Sequence, residues 1–378
     1  MSTYVVKQTG FSGQVIMNIN NVDLPNDPVL SYTLSSTLNL DMNPTSLAVW
    51  DKFLIIGYGD NDTVSIWDLT NSSLIKTING NPNSGFGSSI SVKDKILAVG
   101  SPNEGTVSLF LYINDTWKDS PNHIITQTPS SKFGSTVHIN EKYIIVSSPL
   151  DMVSSTQTSL VYVYFYNYVT DILVEETVLK SSIPSLNNNF GHCIESLGGD
   201  MIIVSSPKGK VNSGSTVSSG FVEIFKKTNS WNFDSLIHSP SPLEGSNFGY
   251  SIDVQIGRMV IGEPGANQVH IFDFHYPNWI LFKTINSQYI GLDNTGGDEG
   301  FTVSQDVSKR SVVWSSPSTN KVFLSETTPR GNIVGSITST ISNDKSTLMG
   351  EFLNYNESRL IVSWKENDKV SIGIYLST

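Results

Sequence analysis

Hydrophobic residues along this chain fall in short runs separated by turns rich in Gly, Asn, Asp and Pro. Within the runs Val, Ile and Tyr dominate, and no window repeats at the i, i+3, i+4 spacing of an amphipathic helix. The pattern predicts an all-β protein. The runs also recur in a fixed order: Phe-Gly, a short strand, a tight turn, an apolar strand, then small residues and Pro. "FGSSISVKDKILAVGSP" starts at Phe86, "FGSTVHINEKYIIVSSP" at Phe133, "FGHCIESLGGDMIIVSSP" at Phe190 and "FGYSIDVQIGRMVIGEP" at Phe248. Weaker copies start at Asn43, Glu299 and Met349, which makes seven.

After each Pro comes a third apolar run, such as "TVSLFLY" (106–112) or "GFVEIFKK" (220–227), then a polar turn and a fourth. Each repeat therefore reads as a four-stranded antiparallel meander. One such sheet cannot cover both of its faces, but seven stacked radially can, and the expected fold is a seven-bladed β-propeller. Leu47, Ile90, Val137, Ile194, Ile252, Val303 and Leu353 occupy one equivalent position on the first strand, and all seven are apolar, as packing between blades requires. The last repeat runs out at its third strand, "KVSIGIYLST". The segment 28–34, "PVLSYTL", resembles the fourth strands and is predicted to complete that blade, which ties both ends of the chain into one sheet. The expected organisation is a hairpin or docking arm over 1–27 and a propeller over 28–378, with blades starting near 43, 86, 133, 190, 248, 299 and 349.

Composition narrows the function. A net charge of -11, with 23 scattered basic residues, argues against a nucleic-acid partner, because affinity for a phosphate backbone rests on clustered Lys and Arg. The one cysteine, Cys193, rules out a disulfide within the chain and a cysteine-based zinc site. The start shows no apolar leader segment, and no apolar run approaches the roughly 18 residues of a membrane helix. A cytoplasmic protein or a component of a particle is expected.

The Phe-Gly, apolar strand, Gly-Ser-Pro or Ser-Ser-Pro pattern resembles the FG-GAP repeat of integrin-α-type propellers, over about residues 43 to 378. The resemblance implies a binding or adhesion platform and not a catalyst. Calcium-binding members carry an acidic loop between the two strands of the motif; here that place holds only "VKDK", "INEK", "SLGGD" and "QIGR", too few oxygens for calcium. No metal and no cofactor are expected.

One position past the apolar register stand Ala48, Ser91, His138, Glu195, Asp253, Ser304 and Asn354. His138, Glu195 and Asp253 belong to consecutive repeats and are candidates to face a central channel, as a polar lining, a metal set or an acid–base pair. The repeated Phe residues are expected to plug the gaps between blades, and Trp117, Trp231 and Trp279 to pack at the starts of fourth strands. Pro102, Pro149, Pro207, Pro264 and Pro317 are expected to end second strands.

Loops joining second to third strands share a face with the loops that lead into first strands. The long ones, 150–159, 208–220 and 286–299, make this the candidate contact surface. Its candidate binding residues are Asp151, Thr156, Gln157, Lys208, Lys210, Asn212, Tyr289, Asp293 and Asp298. The favoured function is a non-catalytic scaffold that binds protein partners through this face, extending to a part in a larger assembly or virion. The alternatives are a glycan-binding propeller using Tyr58, Tyr289 and Trp364, and a hydrolase or lyase centred on the channel.

Overall fold

The computed structural model describes residues 2–6, 15–19, 32–153, 156–167, 169–183, 188–210, 212, 217–285, 300–306, 311–317, 321–326, 333–339, 348–356, 359–366 and 369–377. They form seven antiparallel sheets, here called blades, each built on a four-stranded meander in sequence order, except that the fourth strand of the last comes from the N-terminal side of the chain. Two compact units divide the chain. Residues 42–249 carry blades 1 to 4, whose first strands are Ser46–Trp50, Ser89–Lys93, Val137–Ile139 and Ile194–Leu197. Residues 1–41 and 250–378 carry blades 5 to 7, whose first strands are Ser251–Gln255, Val303–Asp306 and Leu348–Asn356.

Burial is greatest on the second strands. The second strands Phe53–Tyr58, Ile96–Ser101, Met201–Ser206 and Ser311–Ser316 are buried at every position. Both sheet faces are covered there, so these segments read as continuous apolar runs without alternation. Fourth strands such as Ser73–Asn79 and Asn278–Ile285 are mostly exposed. Phe86, Phe133, Phe190 and Phe248 are all at most 4% exposed, as plugs between blades should be. The glycine after each has φ between +87° and +94°, a backbone state that only glycine adopts without strain.

The second-strand position opposite the start of the first strand carries one of two chemistries. In blades 1, 2 and 5 the second strand carries Gly57, Gly100 or Gly262, opposite Ser46, Ser89 or Ser251 of the first strand. That serine hydroxyl donates to the carbonyl of the next blade's Phe-Gly or equivalent glycine, Gly87 (2.7 Å), Gly134 (2.7 Å) or Gly300 (2.8 Å). A Cβ on the second-strand glycine would stand 2.1, 2.1 or 1.9 Å from that same carbonyl oxygen. In blades 3, 4 and 6 the glycine is replaced by Ser147, Ser205 or Ser315. Its hydroxyl accepts, within the same blade, from the backbone N–H of Thr136, Cys193 or Thr302 at 2.9, 2.9 and 3.1 Å. The two residue choices change together along the chain.

Several expectations are corrected. Among the described residues the strand that completes blade 7 is Tyr32–Leu40, which shares Tyr32–Leu34 with the expected 28–34 and runs six residues further; it pairs with Lys369–Ser377 from Tyr32↔Ser377 to Leu40↔Val370. Residues 28–31 lie outside the described residues. The strand takes in the polar stretch "SSTLNL", with an extra residue at Ser35 and with Leu38 and Leu40 buried. The described residues of 150–159 are not an irregular loop, because strands Tyr143–Val153 and Thr156–Asn167 stay paired past a bulge between Ser148 and Asp151, as far as Val153↔Thr156. Pro149 therefore sits in that bulge, where a missing N–H costs nothing, and does not end the strand. The fourth strand of blade 2 is split into Thr116–Trp117 and His123–Thr126. Strands Ser2–Val6 and Val15–Ile19 form a hairpin whose second strand pairs with Ile333–Ser339, the fourth strand of blade 6.

One feature of the fourth strands has no sequence signature. In blades 1, 3, 4, 5, 6 and 7 the ladder between third and fourth strands slips by one residue, leaving Ile75, Glu176, Asp234, Phe282, Val334 and Ser35 as the extra residues. Bulges of this kind twist an exposed edge away from a flat, pairing-competent shape.

Candidate functional site

Four of the polar positions one step past the apolar register, Ser91, His138, Asp253 and Ser304, join blades. Ser91 Oγ accepts from Ile139 N (3.0 Å), Asp253 Oδ2 from Gln305 N (3.1 Å) and Ser304 Oγ from Tyr355 N (3.2 Å). Each acceptor reaches the residue following the same register position in the next blade. His138 makes the side-chain version of this contact, with Nε2 2.8 Å from Ser196 Oγ.

His138 and Glu195 do stand side by side, with Nδ1 and Oε2 3.9 Å apart, too far for a hydrogen bond. Burial, reinforced by the Lys93 charge, pushes the imidazole down to about 4, so it is neutral near pH 7. Asp253 belongs to the other unit and is held by Ser304 Oγ and the Gln305 backbone. Burial pushes its carboxyl up to about 6 despite these donors. Among the described residues no group of three or more His, Cys, Asp or Glu side chains could hold a metal ion.

The loop face is built differently from its sequence reading. Asp151 lies on the extended hairpin, and its Oδ2 accepts from Tyr162 OH at 2.7 Å. Desolvation and this carboxylate together push the Tyr162 hydroxyl above its ordinary value. Thr156 and Gln157 pair with Val153 and Met152 across the hairpin. Lys208, Lys210 and Asn212 are exposed on the loop of the adjacent blade, which closes through a bridge between Lys210 and Ser218. Tyr289, Asp293 and Asp298 lie outside the described residues. Of the aromatic glycan candidates, Tyr58 is 2% exposed and cannot stack on a sugar, while Trp364 is half-buried against Gly373 of its own blade.

The acidic turn "GDNDT" also has a structural task. Asp62 accepts from Asn83 N (2.6 Å), Gly85 N (2.7 Å), Ser84 Oγ (3.1 Å) and Phe86 N (3.3 Å), fixing the loop that leads into blade 2. Desolvation opposes ionisation, but these donors outweigh it and hold the carboxyl below its ordinary value.

Two buried polar groups carry no motif. In blade 5, His270 Nε2 lies 2.6 Å from Glu263 Oε2 and Nδ1 lies 3.0 Å from Thr284 Oγ1. This carboxylate–imidazole–hydroxyl chain resembles a proton relay, but Glu263 and His270 are fully buried and no substrate can reach them. In blade 4, Glu223 is fully buried on the third strand. The signal that would have found both is a charged residue at the centre of an apolar third strand, "FVEIF" and "VHIF".

No protein-family model matches the chain, and no curated protein matches it. Among solved structures it is similar to the β-propeller domain of Cps50 (Swd1) from Myceliophteria thermophila. The two share 12% sequence identity over 92% of this chain and 100% of that one, with a TM-score of 0.62. The chain has the β-propeller fold. Among the described residues, blade 3 extends a hairpin past the Ser148–Asp151 bulge, and the corresponding loop of blade 4 exposes Lys208 and Lys210.

Proposed function

We propose that this propeller is a non-catalytic protein-interaction scaffold that engages a protein partner through the rim of blades 3 and 4. The observation that carries this reading is the hairpin Tyr143–Val153/Thr156–Asn167, which continues past the Ser148–Asp151 bulge beside the exposed Lys208 and Lys210. Both loops join second to third strands of adjacent blades, so they rise on the same side. A β-hairpin keeps its shape without a partner, so docking on it costs less ordering entropy than docking on an irregular loop. The use of Ser91, Asp253 and Ser304 to join blades favours a scaffold over a catalyst. We also infer that the repeats are of the FG-GAP type without its calcium loops, which the recurrent left-handed glycine after each Phe supports.

Cross-linking mass spectrometry on the protein isolated gently from its source tests the reading. Cross-links from Lys208 and Lys210 to one protein, abolished by K208E/K210E without a change in melting temperature, are the expected result. A protein that runs alone and instead retains a defined glycan class on an array would overturn it.

A further inference from the structure

In each blade the last residue of the second strand lies diagonally from a third-strand residue on the same sheet face. In blade 1 Tyr58 pairs with Thr63, and Ser65 is two residues along; Ser65 Oγ meets Tyr58 OH at 3.2 Å. In blade 5 Glu263 pairs with Gln268, and His270 is two residues along, 2.6 Å from the Glu263 carboxylate. A long side chain thus spans the diagonal and satisfies both polar groups.

Blade 4 places Ser206 and Glu223 on the same diagonal, through the pair Ser206↔Phe221. Serine is too short to cross. Both residues are fully buried, and Ser206 Oγ and Glu223 Oε2 have no hydrogen-bond partner in the protein. The other carboxylate oxygen, Oε1, accepts from Ser182 N at 2.6 Å. Leaving one buried polar atom unpaired costs about 1–3 kcal/mol, and more for a charged group. Two such atoms on one diagonal call for a shared third partner, and a buried water serves when it finds two to four polar groups, here Ser206 Oγ and Glu223 Oε2.

We propose that blade 4 binds one internal water molecule that bridges Ser206 Oγ and Glu223 Oε2, in the place that the Tyr58 hydroxyl and the Glu263 carboxylate fill in blades 1 and 5. The water donates to the carboxylate and exchanges a hydrogen bond with the serine hydroxyl. It holds the Glu223 side chain so that Oε1 keeps its bond to Ser182, at the segment leading into blade 4. Burial raises the Glu223 carboxyl pKa against the hydrogen bonds from Ser182 and Ser181, and a further donor on Oε2 would oppose that rise.

The sign of one substitution tests this. If the water is bound, S206A removes one of its two anchors and lowers the folding equilibrium constant of the full chain roughly fivefold to tenfold in urea titrations. The loss should be non-additive with E223Q. A dry, unpaired hydroxyl predicts the reverse, because deleting it relieves a buried cost, so a neutral or stabilising S206A overturns the proposal. A crystal structure of the full chain showing ordered waters provides the second reading. Density within hydrogen-bonding distance of both atoms is expected; no density, or density that refines as a cation with potassium- or sodium-dependent stability, refutes the bridge. The graft S206E/E223H, which recreates the blade 5 pair, is expected to fold and to lose that density.

Discussion

At Gly100 the chain has no room for a single carbon. Its missing Cβ would stand 2.1 Å from Gly134 O and 2.3 Å from Ser89 Oγ, so G100A must push two blades apart or break the serine's bond to the glycine carbonyl. We expect a loss of about 3 kcal/mol in chemical denaturation. The alternative chemistry in blade 3, Ser147 with Thr136, offers a rescue, and S89T/G100S should be clearly more stable than G100S alone. Two titrating residues act in opposite directions. Neutral His138, held at about 4 against an ordinary 6.5, lets the unfolded chain bind more protons between those values. Its contribution is complete above 6.5 and is lost as pH falls toward 4. Asp253, raised to about 6 from 3.8, makes the folded chain the better proton binder, so its contribution is complete below 3.8 and lost as pH rises through 6. In urea titrations across pH, H138Q should flatten the acid-side loss. D253N should gain most above pH 6, because its amide oxygen keeps the bond from Gln305 N.

The element that most needs explaining is the fourth strand. Leu74, Ile75, Ile172, Val174, Phe233, Ile280 and Phe282 are exposed large apolar residues on these strands, which an unprotected edge would offer to other chains. The one-residue bulge supplies the protection, and its extra residues are put to use: Glu176 pairs with Lys227, and Phe282 lies under Arg258 with its guanidinium 5.3 Å from the ring centroid. Deleting Ile75 would restore a flat, uninterrupted ladder in which Ile66↔Lys76 and Trp67↔Leu74 become consecutive pairs. Light scattering should then show faster aggregation than for an I75S protein that keeps the bulge. The loop leading into blade 2 depends on Asp62 in a comparable way. D62A removes four hydrogen bonds, and hydrogen exchange should rise over Asn83–Phe86 ahead of the rest of the blade. The turns and strands around these elements were legible because Gly, Asn and Asp mark left-handed positions. The bulges were not, because an extra residue in an exposed strand can be almost any residue.

At the scale of the whole molecule, blade 7 joins the two ends of the chain. Tyr32–Leu40 supplies the fourth strand to Lys369–Ser377 through eight paired positions, burying Leu38 and Leu40. A protein starting at residue 28 should therefore retain cooperative thermal unfolding, whereas one starting at residue 41 should lose it and expose the edge of the Lys369–Ser377 strand. The sequence by itself determined the strand class, the number of blades, the closure from both ends and the buried Phe plugs. All of these follow from local periodicity and from backbone states that only a few residue types tolerate. Only the tertiary structure decided which polar residues are available for function. His138, Asp253, Asp62 and Tyr58 look alike from the sequence, as polar or aromatic residues near turns. The structure ties each of them to its own or a neighbouring blade, and it converts the 150–159 loop into a hairpin. The physical reason is that a repeat in sequence specifies which residues share a position, while hydrogen-bond partners across a blade boundary come from residues about 45 to 60 positions away, as in Ser89 with Gly134 and His138 with Ser196. No local pattern records those contacts.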